Sequence, residues 1–260
     1  SAKDLESVDL AHRLQPGMVR KILGDLKPGP LIQTPAERYY SNDLSETSGR
    51  THPLNRLQRE AVDKALGIED LMVIIGPPGT GKTTVIAEIL LQLLVRRKHV
   101  LVVCHTNKAV DTVAEKLMVY GVSDRLTRHG NWYKMTEKAK KVSLKEVVSE
   151  ASDPVREAVS RLKKSGVIFT TCTSACMELI KNLNFDYVIF DESSQIKPQS
   201  SFFSLCLASK VVIVGDPFQL PPIYRDTAND NSLIKMALDT FGRYGISQHI
   251  VMLKEQYRMN

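Results

Sequence analysis

One stretch of the chain has the residue types and spacing that bind a chain of phosphates. Residues 76–84 fit the pattern G-x-x-x-x-G-K-[S/T] at each fixed position. In this pattern Lys82 is expected to reach the β- and γ-phosphates, and the Thr83 hydroxyl is expected to bind Mg²⁺. The residues predicted to surround the nucleotide phosphates are Gly76, Pro77, Pro78, Gly79, Thr80, Gly81, Lys82, Thr83 and Thr84.

The segments on either side of this loop support the same interpretation. Residues 71–75 are an apolar run of strand length that is rich in β-branched residues. Residues 85–94 contain good helix formers and no helix breaker. A loop between a buried strand and a helix N-terminus places unpaired N–H groups and the positive end of the helix dipole against an anion. This context argues against an ordinary turn rich in glycine and proline.

Three polar side chains that follow other apolar runs supply the remaining chemistry of nucleotide hydrolysis. Asp191 and Glu192 come directly after the apolar run 187–190. Hydrolysis needs a second carboxylate beside Mg²⁺, which we assign to Asp191, and a base for the attacking water, which we assign to Glu192. Gln219 lies in a proline-rich loop after the run 211–214, and we expect it to hydrogen-bond the γ-phosphate or the attacking water.

Strand-like runs alternate with helical stretches along the chain, which indicates an α/β fold. The alternation predicts a mostly parallel sheet with helices on both faces. We assign residues 51–260 to one such domain, residues 121–166 to a helical insertion within it, and residues 1–50 to an accessory or stalk segment and linker. The predicted strands cover residues 71–75, 100–104, 167–171, 187–190, 211–214 and 250–253.

The composition is that of an ordinary globular protein, with 260 residues, 43% hydrophobic and 25% charged. The net charge of +6 suits a polyanionic partner but is a weak indication at this size. Because no apolar run has the length of a membrane span and no signal peptide begins the chain, we expect no membrane partner. The four cysteines match no zinc-site spacing, which favours reduced thiols in an intracellular protein.

The basic part of the insertion has two interpretations. Residues 132–134 and 138–145 are basic, but Glu137, Glu146 and Glu150 dilute the charge. We favour a solvated helix face over a nucleic-acid patch. Trp132 is either a partly buried anchor, which is the commoner role, or a platform for a base.

Taken together, these motifs resemble the first RecA-like domain of superfamily one helicases. The resemblance is to the group that contains the nonsense-mediated-decay helicase, senataxin and the Dna2 nuclease-helicases, and it covers about residues 54–260. The matching stretches, in family order, are 57–58 (Q motif), 76–84 (motif I), 104–111 (motif Ia), 191–195 (motif II), 215–222 (motif III) and 256–259 (motif IV).

The resemblance implies roles for further residues. Gln58 would read the edge of the adenine, although the sequence also allows it to be the capping partner of Asn55. Tyr257 would stack on the base, and Arg258, with Gln219, would contact the γ-phosphate. The residues implied to grip the nucleic-acid backbone are Thr106, Asn107, Thr170 and Thr171.

The activity implied by the resemblance is ATP-dependent translocation on single-stranded RNA or DNA, in the 5′→3′ direction, with strand unwinding. Motif II departs from the commoner Asp-Glu-Ala form, and Asn260 stands where the group usually has histidine. A second RecA-like domain, which supplies another arginine in the family, is not found in these residues. Such an arginine is worth about 10³–10⁵ in rate. We therefore expect the 260 residues to bind Mg-ATP, to hydrolyse it slowly and to need that partner domain for movement.

Two other classes of function remain open at this point. One is a P-loop NTPase outside the helicases, whose activity would be indifferent to single strands. The other is a nucleic-acid-binding module with a relic nucleotide site, in which Lys82→Ala would leave nucleotide binding unchanged. The motif III and motif IV stretches argue against the first class, and the presence of Lys82, Thr83, Asp191 and Glu192 argues against the second.

Overall fold

A computed structural model describes residues 16–40, 53–220 and 231–257. Within these residues, seven parallel strands form one sheet in the order β3-β4-β2-β5-β6-β1-β7. The strands are β1 (Leu71–Ile75), β2 (Val100–Cys104), β3 (Leu126–Arg128), β4 (Val167–Thr171), β5 (Phe185–Asp191), β6 (Ala208–Gly215) and β7 (Ile250–Met252).

Helices cover both faces of this sheet. The longer helices are α1 (Pro16–Ile22), α2 (Arg56–Gly67), α3 (Lys82–Val95), α4 (Asn107–Met118), α7 (Pro154–Lys164), α10 (Pro198–Leu205) and α11 (Leu233–Tyr244). The short helices are α5 (Glu137–Lys140), α6 (Leu144–Val148), α8 (Cys172–Ala175) and α9 (Glu178–Lys181). Single 3₁₀ turns cover Ser123–Arg125, Trp132–Lys134, Ser193–Gln195 and Ser247–His249.

The strands are apolar on both faces, as a sheet between two helical layers requires. Successive side chains of a strand point to opposite faces. In β1, Leu71, Val73 and Ile75 pack into one apolar layer, and Met72 and Ile74 pack into the other. Helices α2, α3 and α4 cover the second of these layers, and α1, α7, α10 and α11 cover the first. The predicted α/β fold, with a parallel sheet and helices on both faces, is confirmed.

Residues 16–40 pack against the domain that we predicted to begin at residue 51. The Thr240 hydroxyl of α11 donates a hydrogen bond to the Ile22 carbonyl (3.1 Å). The Ile22 side chain is buried in the apolar layer that α11 covers. The Tyr39 hydroxyl donates to the Asp63 carboxylate of α2 (2.8 Å). The rest of the predicted accessory segment lies outside the described residues.

The segment 121–166 contains helices α5, α6 and α7, and it also contains strand β3, which the sequence did not predict. This strand extends the sheet by pairing with β4, with Leu126 opposite Val167. Arg128 at the end of β3 is fully buried, and its guanidinium donates to Asp111 Oδ1 and to Asn107 Oδ1 of α4, both at 2.8 Å. The position of β3 therefore depends on an ion pair with a helix from an earlier part of the chain.

His129, next to this ion pair, makes the stability of the fold sensitive to acid. Burial, and then the charge of Arg128, lower the pKa of His129 from 6.5 to about 4. Between these two values the unfolded chain binds a proton that the folded chain does not, so stability is complete above about pH 6.5 and falls towards pH 4. Between pH 7 and pH 4 we expect wild type to lose about 3 kcal/mol more unfolding free energy than His129→Leu.

Urea unfolding of both proteins at several pH values measures this difference. His105→Leu is the matched control, because His105 is exposed. If His129→Leu and His105→Leu lose stability in parallel on acidification, His129 is not the group responsible.

No helix among the described residues combines the length and the apolar character needed to cross a bilayer.

Candidate functional site

The predicted nucleotide-binding residues meet at the carboxyl ends of β1, β5 and β6. These strands are neighbours in the sheet, so the loops that follow them share one edge. Between the loops lies an open cavity of about 470 Å³. The residues that line it are Pro78, Gly79, Gly81, Lys82, Thr83, Glu192, Ser194, Gly215, Asp216, Gln219 and Tyr257.

The phosphate loop contains two residues in a left-handed backbone conformation that glycine adopts readily. Gly79 and Gly81 have φ values of +85° and +81°, in the left-handed region that other residues avoid. A Cβ atom on Gly81 would lie 2.5 Å from Nε2 of Gln58. Helix α3 begins directly after Gly81, so the unpaired N–H groups of its first turn lie beside the cavity.

Lys82 lies between the loop and a group of carboxylates. Its ammonium donates hydrogen bonds to the Gly76 carbonyl (2.5 Å) and the Pro77 carbonyl (3.1 Å). Burial lowers the pKa of Lys82, and the negative charges of Asp191, Asp216 and Glu192 oppose that effect. A partly desolvated ammonium whose hydrogen bonds go to loop carbonyls is suited to a phosphate ligand.

Asp191 and Glu192 occupy different environments at the end of β5. Asp191 is 6% exposed, and burial raises its pKa to about 6, whereas the Glu192 N–H donates to its carboxylate (2.8 Å) and lowers the pKa. Glu192 has φ +53°, a left-handed conformation that costs about 1–3 kcal/mol in a non-glycine residue. Its side chain lines the cavity, and the Thr106 hydroxyl donates to its Oε2 (3.4 Å).

The donor set fits Mg²⁺ that arrives together with a nucleotide. Within the described parts of the chain, no group of three or more histidine, cysteine, aspartate or glutamate side chains is placed to hold a metal ion. Mg²⁺ commonly takes one or two protein ligands and completes its shell with water and phosphate oxygens. The Thr83 hydroxyl and the Asp191 carboxylate match that requirement.

Gln58 and Tyr257 each bond to the phosphate loop directly, and Asn55 contacts both of them. Gln58 and Asn55 form a capping box at the start of α2, and Gln58 Nε2 also donates to the Thr80 carbonyl (3.0 Å). Asn55 Nδ2 donates to the Tyr257 hydroxyl (2.7 Å), and the Tyr257 N–H donates to the Gly79 carbonyl (2.9 Å). Gln58 is therefore a capping partner, as the alternative interpretation had it, and in addition a support for the loop.

Gln219 lies in the cavity wall, next to Asp216, an acidic residue that the sequence analysis did not single out. The Gln219 N–H donates to the Asp216 carbonyl, and the Phe218 N–H donates to the Asp216 carboxylate, both at 3.1 Å. Asp216 directly follows the last residue of β6, and this position at a strand end could have marked it as a candidate site residue in the sequence. Arg258, predicted to contact the γ-phosphate, lies outside the described residues.

The four residues implied to contact nucleic acid differ in exposure. Thr106 is exposed and caps α4 by accepting from the Ala109 N–H (3.1 Å). Asn107 is half-buried and accepts from Arg128. Thr171 is 7% exposed and caps α8, and Thr170 has no exposed surface. Because the Thr170 side chain is buried within the folded domain, its position does not support a contact with a nucleic-acid strand.

The parallel sheet, the phosphate loop and the carboxylate pair define the class of this protein as a P-loop NTPase with a RecA-like fold. A family model described as "AAA domain" matches residues 53–157 and 134–226. The chain belongs to this family.

Individual relatives agree with the motif resemblance. The chain is 32% identical over 250 residues to the DNA replication ATP-dependent helicase/nuclease JHS1 of Arabidopsis thaliana, covering 93% of this chain and 18% of the relative. It is 36% identical over 211 residues to DNA2 of Saccharomyces cerevisiae, which carries the same description, covering 79% and 13%. The chain thus spans less than a fifth of these relatives. The predicted resemblance to the Dna2-type group is confirmed.

Among solved structures, an arterivirus nonstructural protein 10 (helicase) is similar at 15% identity and a TM-score of 0.45, covering 77% of this chain and 38% of that one. The fold assignment rests on the sheet topology itself.

Proposed function

We propose that this chain is the ATP-binding domain of a nucleic-acid-dependent ATPase and helicase, which couples ATP hydrolysis to translocation on a single strand. The observation that carries the proposal is the single cavity shared by the phosphate loop, Lys82, Glu192 and Gln219. The relatives, which are described as ATP-dependent helicase/nucleases of DNA replication, favour DNA over RNA as the track. The same descriptions support an intracellular location, and the 5′→3′ direction follows by analogy with the group.

The proposed chemistry assigns each side chain one role. Lys82 exchanges its loop carbonyls for oxygens of the β- and γ-phosphates. Glu192 accepts a proton from the attacking water, and Gln219 orients that water towards the γ-phosphate. Thr83 and Asp191 would hold Mg²⁺, which would neutralise charge on the phosphate oxygens. Tyr257, which borders the cavity, stacks on the adenine.

A direct contact offers a route between hydrolysis and the strand. Thr106, in the loop after β2, donates to Glu192, which follows β5, and these strands are neighbours. A strand phosphate that competes for the Thr106 hydroxyl would release the Glu192 carboxylate towards the water. In this proposal, binding of nucleic acid at Thr106 changes the hydrogen bonding of the Glu192 carboxylate and so its ability to accept a proton.

A second RecA-like domain is the proposed partner on the open side of the cavity. Phe218 and Leu220 flank Gln219 and are 86% and 84% exposed. Exposed apolar side chains of this size at the rim of a site commonly mark an interface. A partner domain placed there would close the cavity next to Gln219.

Lys82→Ala tests the nucleotide site. Hydrogen bonds to charged groups contribute about 1.5–3 kcal/mol, so we expect Mg-ATP affinity to fall roughly 10- to 150-fold. Equilibrium binding of a fluorescent ATP analogue measures this loss. Lys164→Ala, at an exposed lysine of α7, is the matched control. Equal affinity of the two variants would support a relic nucleotide site.

The link to nucleic acid has its own experiment. Because coupling is reciprocal, binding of a non-hydrolysable ATP analogue must change the affinity for a single strand, here labelled (dT)20. We expect a change of at least about fivefold, measured by fluorescence anisotropy. Strand affinity that is indifferent to the analogue would favour a P-loop NTPase of another class.

A further inference from the structure

The residues implied to contact nucleic acid lie at the carboxyl ends of β2 and β4, and the segment after β3 lies at the same edge of the sheet. Strand β3 is at the edge of the sheet, next to β4 and then β2. All three run parallel, so the loops that follow them lie at the same edge of the sheet. Thr106 follows β2, Thr171 is the last residue of β4, and Trp132 and Tyr133 follow β3.

Two aromatic rings and two lysines form a compact group in and beyond this loop. The ammonium groups of Lys140 and Lys145 lie 4.2 Å and 4.4 Å from the centre of the Trp132 ring. Tyr133 meets Trp132 edge to face at 5.5 Å, and Lys145 also lies 5.0 Å from the Tyr133 ring. We call these four residues the aromatic–lysine cluster.

Within the aromatic–lysine cluster, Tyr133 and Lys145 are exposed, whereas Trp132 and Lys140 are half-buried. Tyr133 is 81% exposed. The indole N–H of Trp132 is buried and has no hydrogen-bond partner among the described residues. Glu137 pairs with Lys140 (2.5 Å) but is itself 87% exposed, and Lys145 has no carboxylate partner within the described residues.

Buried contacts fix the cluster relative to the loop after β2. Arg128 joins Asp111 and Asn107 of α4, and the Thr136 N–H donates to the other oxygen of Asp111 (2.8 Å). The loop between Arg128 and Thr136, which carries the rings, is thereby anchored at both ends to α4. A strand held at the start of α4 would meet the rings in a defined position.

We propose that the aromatic–lysine cluster is an additional contact site for single-stranded nucleic acid, with a base stacked on Tyr133 and backbone phosphates beside Lys140 and Lys145. Exposed aromatic rings next to cationic side chains bind successive bases without sequence preference. The inference rests on the proposed function, since it assigns that strand a path beyond Thr106 and Thr171. For the basic part of the insertion, we thus propose a nucleic-acid contact in place of the solvated helix face that the sequence analysis favoured.

The chain offers a label-free test of this site, because Trp132 is its single tryptophan. Titration of the 260-residue protein with (dT)20 should change Trp132 emission, and anisotropy of labelled (dT)20 gives the affinity. Tyr133→Ala should weaken binding at least about fivefold, since a stacked base contributes about 1–3 kcal/mol. Tyr133→Phe, which keeps the ring, should stay within about twofold. Lys145→Gln should reduce the slope of log K against log salt by about 0.7.

The possible outcomes separate this inference from the proposed function. If wild type binds (dT)20 but Tyr133→Ala binds equally well, with Trp132 emission and salt slope unchanged, the cluster is not a strand site and the proposed function stands. If wild type binds no single strand with or without nucleotide, the proposed function itself fails and this inference fails with it. The thermal midpoint of Tyr133→Ala, expected to equal that of wild type because the side chain is exposed, guards against misfolding.

Discussion

Glu192→Gln will hydrolyse ATP about 10²–10⁴ times more slowly than wild type and will bind Mg-ATP almost as well. The substitution keeps the shape of the side chain and removes its ability to accept a proton. The left-handed backbone at Glu192 holds this side chain in the wall of the cavity, so the amide will occupy the same place. Single-turnover phosphate release measures the rate, and binding of a fluorescent ATP analogue measures the affinity.

Glu150→Gln is the matched control for this experiment, because it is the same change at an exposed glutamate away from the cavity. It should leave both quantities unchanged. A loss of less than fivefold in Glu192→Gln would show that another group activates the water. Asp216, which lines the same cavity, would then be the next residue to replace.

Arg128→Met will destabilise the fold by about 3–5 kcal/mol, because it leaves the buried Asp111 carboxylate without its cation. Both side chains of the pair are almost completely buried, with exposures of 0% and 1%. For a domain of this size the loss corresponds to a fall of roughly 6–20 °C in the thermal midpoint. Urea unfolding at neutral pH measures the free-energy change, with an unchanged m-value as the sign that only stability has moved.

Lys181→Met provides the comparison on the surface. Lys181 pairs with Glu178 at 3.6 Å, but these side chains are 30% and 80% exposed. Exposed pairs contribute about 0–1 kcal/mol, so this variant should be nearly as stable as wild type. If Arg128→Met lost no more than Lys181→Met, the Thr136 N–H alone would suffice to stabilise Asp111.

The parts of the site that the sequence predicted are those encoded by neighbouring residues. The phosphate loop, Asp191 and Glu192 each stand at the end of an apolar strand, and short-range pattern is enough to place them. The parallel fold followed for the same reason, since the alternation of strands and helices is visible along the chain. The motif resemblance added Tyr257, which the structure places in the cavity wall.

The parts that the sequence could not supply depend on contacts between distant segments. Strand β3 has only three residues and ends in Arg128, whose charge argues against burial unless its partner Asp111 is known. The support that Gln58 gives to the Thr80 carbonyl is invisible in the same way. Thr170 looked like a polar strand end, but the folded chain leaves its side chain with no exposed surface, and the sequence does not reveal this.

The position of β1 in the sheet also decides when the nucleotide pocket forms. Within the described residues, β1 pairs with β6 and β7, which follow it in the chain by more than 130 residues. On the ribosome, strands β2, β4 and β5 can pair before β6 is synthesised, whereas β1 has no strand to pair with until then. Pairings across so much chain close slowly. The nucleotide cavity is therefore incomplete until β6 has been synthesised and paired with β1, because Gly215 and Asp216, which line the cavity, lie at the end of β6.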